Sequence, residues 1–150
     1  MKRKERKSKL YLAHAISIRK EVREWELTVE KKYDIELINP FYDLGELKRM
    51  KLIDNGDITP YTNVDKRLSE EIVNDDLKAI NDSDGIVAYI KQPSIGTSME
   101  IYHCKQLLMK PVYIYLEDVR YLKHPWLMKF SDSIYTSLDS LNIKLGNLHG

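Results

Sequence analysis

Five apolar runs of strand length, separated by segments with helical spacing, constrain this chain more than any other feature. The runs are Leu10 to Ile16, Ile35 to Asn39, Gly85 to Ile90, Val112 to Leu116 and Ile134 to Leu138. A strand buried on both faces reads as a continuous apolar stretch, and parallel neighbours need a crossover that is usually a helix. The gaps fit helices at about Lys20 to Lys32, Lys66 to Asn81 and Gly96 to Met109, with a short one at the C-terminus. The pattern predicts an α/β fold, a parallel sheet with helices on both faces. The interval from Phe41 to Asp65 departs from it. Gly45, Gly56, Pro60 and mixed polarity make it an irregular excursion, a candidate lid over a site.

A chain of 150 residues, 43% hydrophobic and 31% charged, suits one soluble domain. A domain of this size buries about 70% of its unfolded surface and needs neither a disulfide nor a metal to fold. The single cysteine, Cys104, falls at helical spacing with Ile101 and Leu108 and is expected to pack in the core. No run approaches a membrane span and no apolar segment follows the basic N-terminus, so a cytoplasmic protein is expected. Residues 1 to 9 carry six basic side chains against Glu5, leaving −4 on the remainder of a chain whose total is +1. This divides the sequence into a basic arm, 1–9, and a domain, 10–150. With an acidic body and no aromatic platform beside the arm, nucleic acid is not an expected partner.

In such a sheet, ligands bind beyond the carboxyl ends of the strands where the strand order reverses. Three segments there carry unusual chemistry. After GIVAYI comes Gln92-Pro93-Ser94-Ile95-Gly96-Thr97-Ser98-Met99-Glu100. Pro93 ends the strand, Ser94 suits an N-cap and Gly96 lets a ligand approach the backbone. Free N–H groups and the helix dipole favour an anion at this turn. Glu100 lies about one turn further, on the side of Gly96 and Thr97. The spacing alone equally fits a capping box with an exposed glutamate.

In the preceding helix Leu68, Ile72, Asp76 and Ile80 form one line, so Asp76 interrupts an apolar stripe. A carboxylate there must be paired, structural or functional. The third segment runs from Tyr11 to Arg19, where Ser17 and Arg19 are candidates to hold a phosphate. His14 reads as a hydrogen-bonded structural residue. There is no GxGxxG, GxxxxGK[ST] or GxSxG motif, and the four histidines form no metal-ligand set. No cofactor and no metal are expected; carboxylate chemistry remains.

Together, the opening strand with Tyr11, the NDDLKAINDSDGIVAYI block and the QPSIGTSMEI block followed by KPVYIYL resemble the nucleoside 2-deoxyribosyltransferase family, including the 2′-deoxynucleoside 5′-monophosphate N-glycosidases. The resemblance runs from about Tyr11 to Leu116. It implies a single-domain five-stranded sheet in the order 2-1-3-4-5, flavodoxin-like or Rossmann-like, in a homodimer or higher oligomer with shared sites. It implies Glu100 as the nucleophile at C1′, and Asp76 beside the sugar and base, handling the base proton or orienting the sugar. Tyr11, Ser17, Arg19, Ser94, Gly96 and His124 become candidate substrate-binding residues. The QPS-G turn is similar to that of the monophosphate glycosidases, whose serine contacts the 5′-phosphate, and favours nucleotide hydrolysis over base transfer. The sequence departs from the family at His14-Ala15-Ile16, where a Gly-rich loop is usual, and at Tyr102 and Trp126. A TIR-like NAD glycohydrolase and a non-catalytic nucleotide-binding module are the competing readings.

Overall fold

The computed structural model describes residues 7–53 and 61–148. Strands β1 (Ser8–Ala13), β2 (Ile35–Ile38), β3 (Gly85–Ile90), β4 (Val112–Leu116) and β5 (Ser133–Tyr135) form one parallel sheet in the order β2-β1-β3-β4-β5. The main helices are α1 (Arg19–Lys32), α4 (Lys66–Asn81), α5 (Ile95–Tyr102) and α7 (Leu138–Gly146), with short α2 (Pro40–Asp43), α3 (Glu46–Met50) and α6 (Pro125–Lys129). The expected α/β architecture and strand order are both present.

Period-two alternation along β1 sends its side chains into two cores. Leu10 and Leu12 join Trp25, Val29, Leu141 and Leu145, beneath α1 and α7. A hydrogen bond of 3.0 Å from Trp25 Nε1 to Asn142 Oδ1 ties those helices together. Tyr11 and Ala13 face the opposite way and join Ile80, Ile101 and Cys104, beneath α4 and α5. This parity decides which helices Tyr11 can reach.

Several boundaries differ from the sequence reading. β1 starts at Ser8, inside the expected basic arm, because Asp84 pairs with its backbone: Lys9 N donates to Asp84 Oδ2 at 2.9 Å and Asp84 N to the Lys9 carbonyl at 2.7 Å. β1 ends at Ala13, since Ile16–Ile18 winds into a 3-10 turn leading to α1. The final strand is Ser133–Tyr135 rather than Ile134 to Leu138, because Ser137 caps α7, its hydroxyl accepting from Ser140 N at 3.2 Å. The helix expected to reach Met109 ends at Leu107 through a π-helical turn, His103–Leu107, marked by a 3.2 Å bond from Leu108 N to the His103 carbonyl. Within that turn Cys104 is fully buried, as its spacing predicts, and burial pushes its thiol up to about 11.

The excursion after β2 holds α2 and α3. Gly45, with φ of +90°, turns the chain between them in the left-handed region that glycine favours. Gly56 and Pro60 lie outside the described residues, as do residues 1–6 of the arm. Among the described residues no helix is long and apolar enough to cross a membrane.

Candidate active site

The strand order reverses between β1 and β3, and a phenol, two carboxylates and a guanidinium that act on one another gather there. Tyr11, fully buried on β1, donates a short hydrogen bond from its hydroxyl to Glu100 Oε2 on α5. Asp76 approaches from α4, close enough for its charge to act on both. The fourth member is Arg49 of α3, fully buried, whose Nη2 stands 2.7 Å from Asp76 Oδ1. The two atoms meet as an ion pair without hydrogen-bond alignment. Arg49 Nε donates to the Leu44 carbonyl at 3.1 Å, which fixes the other edge of the guanidinium.

Each environment follows from these contacts. Burial, then the Asp76 charge, pushes Glu100 up to about 8, against the Tyr11 hydrogen bond and the Arg49 charge that favour its ionised form. Asp76 is also raised by burial, while Arg49 pulls it down. Tyr11 is held well above the usual phenol range by burial and by the neighbouring carboxylates. One guanidinium faces two partly desolvated carboxylates. That is an arrangement found where a carboxylate must act as nucleophile or proton carrier, and also in structural ion-pair networks.

The other predicted residues are placed around this group with varied contacts. Ser94 occupies the N-cap position of α5, but its hydroxyl makes no capping bond; its carbonyl accepts from Ser98 N at 3.2 Å and Ser98 Oγ at 2.9 Å. A Cβ added at Gly96 would meet nothing within 4 Å, so the first turn of α5 opens to solvent. Thr97, buried and one turn before Glu100, has a hydroxyl without a hydrogen-bond partner. Ser17 is exposed in the turn after β1, and Arg19 is folded back, Nη1 donating to the Ile16 carbonyl at 3.0 Å. His124 caps α6, with Nδ1 accepting from Trp126 N at 3.3 Å. It borders a separate apolar hollow of about 370 Å³ with Ile101, Tyr102, Leu116, Trp126 and Phe130, lined by neither Glu100 nor Asp76.

His14 is hydrogen-bonded, as the sequence reading expects. It is buried, with Nε2 2.9 Å from Asn39 Oδ1, and burial lowers its basicity. Asn39 passes the link to Glu26, its Nδ2 donating to Oε1 at 2.8 Å, and Arg23 Nη1 meets the other oxygen at 2.6 Å. Burial, with Glu30 beside it, pushes Glu26 up to about 8. Neither this network nor Arg49 stands out in the sequence. The one available signal for Arg49 is indirect: a carboxylate in an apolar stripe needs a cation, and Arg49 lies in the adjoining excursion. Among the described residues no group of His, Cys, Asp and Glu side chains is arranged to hold a metal.

The backbone is similar to that of a solved 2-deoxyribosyltransferase from the psychrotolerant bacterium Bacillus psychrosaccharolyticus, described as a biocatalyst for nucleoside synthesis, with a TM-score of 0.61. The match covers 92% of this chain and 96% of that one at 16% identity, so what the two share is the fold. No protein-family model matches the sequence, and no curated protein is significantly similar to it.

Proposed function

We propose that the protein cleaves the N-glycosidic bond of a 2′-deoxynucleoside 5′-monophosphate, or of the deoxynucleoside, and releases the free base. The observation that carries this reading is the convergence of Glu100, Asp76 and the Tyr11 hydroxyl at the reversal of strand order, in a fold shared with a 2-deoxyribosyltransferase. A Glu100 oxygen attacks C1′ as the C1′–N bond breaks and its electron pair leaves with the base. A glycosyl ester on Glu100 results, through an oxocarbenium-like transition state. Water then attacks C1′ and restores the carboxylate. The Tyr11 hydrogen bond holds the attacking carboxylate in place and favours its charged form. Asp76 handles the base proton or orients the sugar.

The preference for a monophosphate rests on the opening turn of α5. The uncapped Ser94 hydroxyl and the open space beside Gly96 leave first-turn N–H groups facing a position suited to an anion. Ser17 and Arg19 complete that position once the guanidinium leaves the Ile16 carbonyl. Base transfer between deoxynucleosides is the second reading, favoured by the activity of the structural neighbour. A second copy of the chain is the proposed partner, seated on the aromatic surface of Tyr102, Phe130 and Trp126, where Phe130 meets Tyr102 edge-on at 5.2 Å and Trp126 at a tilt at 5.7 Å, with His124 at its rim.

Chromatography of deoxynucleosides and their monophosphates, incubated with and without a second free base, tests these statements together. The expected result is free base from a monophosphate without an added acceptor, and a Ser94→Ala loss greater for monophosphates than for nucleosides. Base exchange without net release assigns the transferase reading, and equal Ser94→Ala losses remove the phosphate argument. Release of nicotinamide from NAD would point to the TIR-like alternative.

A further inference from the structure

Arg49 has no part in the chemistry proposed above, yet it is a fully buried guanidinium at the centre of the site. Its position is fixed on three sides. Nε donates to the Leu44 carbonyl, Nη2 meets Asp76 Oδ1 at 2.7 Å, and the guanidinium carbon stands 6.0 Å from the centre of the Phe41 ring. One residue earlier, Lys48 Nζ meets Asp75 Oδ2 at 2.7 Å and Glu71 Oε2 at 4.0 Å. Two consecutive cations of α3 therefore meet two consecutive carboxylates of α4. The Lys48 pair is partly solvated and contributes little, whereas the Arg49 pair, with side chains 1% and 19% exposed, is better shielded from water and acts more strongly on its neighbours. The charged and titratable groups facing Asp76 are Arg49, Tyr11, Glu100 and Asp75; those facing Glu100 are Tyr11, Asp76 and Arg49.

We propose that Arg49 is a positioning residue that keeps Asp76 ionised, so that Asp76 serves the sugar as a fixed hydrogen-bond acceptor and does not supply the proton taken up by the departing base. The inference rests on the glycosyl-cleavage reading and chooses between the two roles which that reading leaves to Asp76. A general acid must carry its proton when the bond breaks. A carboxylate in contact with a buried guanidinium is the one of the two that loses its proton first, because the direct ion pair acts on Asp76 and only the more distant field acts on Glu100. The electron pair of the C1′–N bond then goes to the base nitrogen, and water at the mouth of the site donates the proton. Asp76 keeps its charge throughout, where it can accept from a sugar hydroxyl and face the positive charge that develops near C1′.

Carbon-detected NMR titration of the side-chain carboxyls in the unmodified protein tests the electrostatic half. Asp76 is expected to ionise at lower pH than Glu100; the reverse order overturns the proposal. Arg49→Met should move the Asp76 titration to higher pH, whereas Arg49→Lys, which keeps the charge, should retain most of the original order. If Arg49→Met does not fold, the titration of the unmodified protein and of Arg49→Lys still decides the point. The kinetic half compares a neutral-base deoxynucleoside with its 7-methylguanine counterpart, whose base already carries a positive charge and leaves without protonation. Asp76→Asn should slow release from both to the same extent, within about threefold, because an acceptor serves both substrates. A loss at least about tenfold greater for the neutral base would identify Asp76 as the proton donor and contradict the proposal. If no nucleoside or nucleotide is cleaved at all, the glycosyl-cleavage reading fails, and the assignment of Asp76 as an acceptor for the sugar falls with it. The titration order separately shows whether Arg49 holds Asp76 ionised.

Discussion

Glu100 sits between a phenol that favours its charged form and a carboxylate that opposes it, in surroundings that desolvate both. A nucleophile must be ionised, so with Glu100 pushed up to about 8 the kcat/KM for base release should fall as pH drops below that value. Tyr11→Phe removes a contact that lowers the Glu100 titration, so its acid limb should move to higher pH; a pH series of kcat/KM for both proteins checks this. The same perturbation bears on stability. A carboxyl whose folded pKa lies above its unfolded value binds its proton more tightly when folded, so its contribution is intact below the unfolded value near 4.5 and is lost as pH rises through about 8. Glu100→Gln abolishes that loss. Its unfolding free energy, relative to that of the unmodified protein and measured by urea titration, should be greater at pH 8 than at pH 5 by an amount on the order of 1–3 kcal/mol.

At the scale of elements, what the sequence made legible was what alternation and local chemistry control. Strands β3 and β4 match their apolar runs residue for residue, and the Pro93-Ser94 turn opens α5 where expected. Asp76 interrupts the stripe of α4 as read, and its pairing explains why an acidic residue is tolerated there. The conformation of the excursion was not legible, because α2 and α3 are too short for periodicity and are held by partners distant in sequence. Asn39 shows how. It caps α2 by accepting from Phe41 N at 3.3 Å and also joins His14 to Glu26. Asn39→Ala should therefore destabilise the fold by about 2–4 kcal/mol, more than a lost cap alone, measured as a shift in the urea midpoint. The network joins His14 just after β1, Arg23 and Glu26 of α1 and Asn39 just before α2, none of which signals the others locally.

At the scale of the whole molecule, the exposed aromatic and apolar side chains are concentrated on α5, α6 and their flanks. Met99 is 69% exposed, Trp126 64% and Met128 57%, and Trp126 lines the hollow that His124 borders. A second copy would cover that surface. Sedimentation velocity is expected to show a species of twice the 17.7 kDa chain mass, and Trp126→Lys to shift it toward the monomer. A monomeric unmodified protein would show that no second copy covers this surface.

The proposed bond between Glu100 and the sugar is open to capture by acid quenching during turnover, followed by peptide mass mapping. A deoxyribosyl adduct, with its 5′-phosphate when the substrate is a monophosphate, is expected on the peptide carrying Glu100, and none in Glu100→Gln. An active protein whose Glu100→Gln variant releases base at the unmodified rate, or whose adduct maps to another residue, would contradict it.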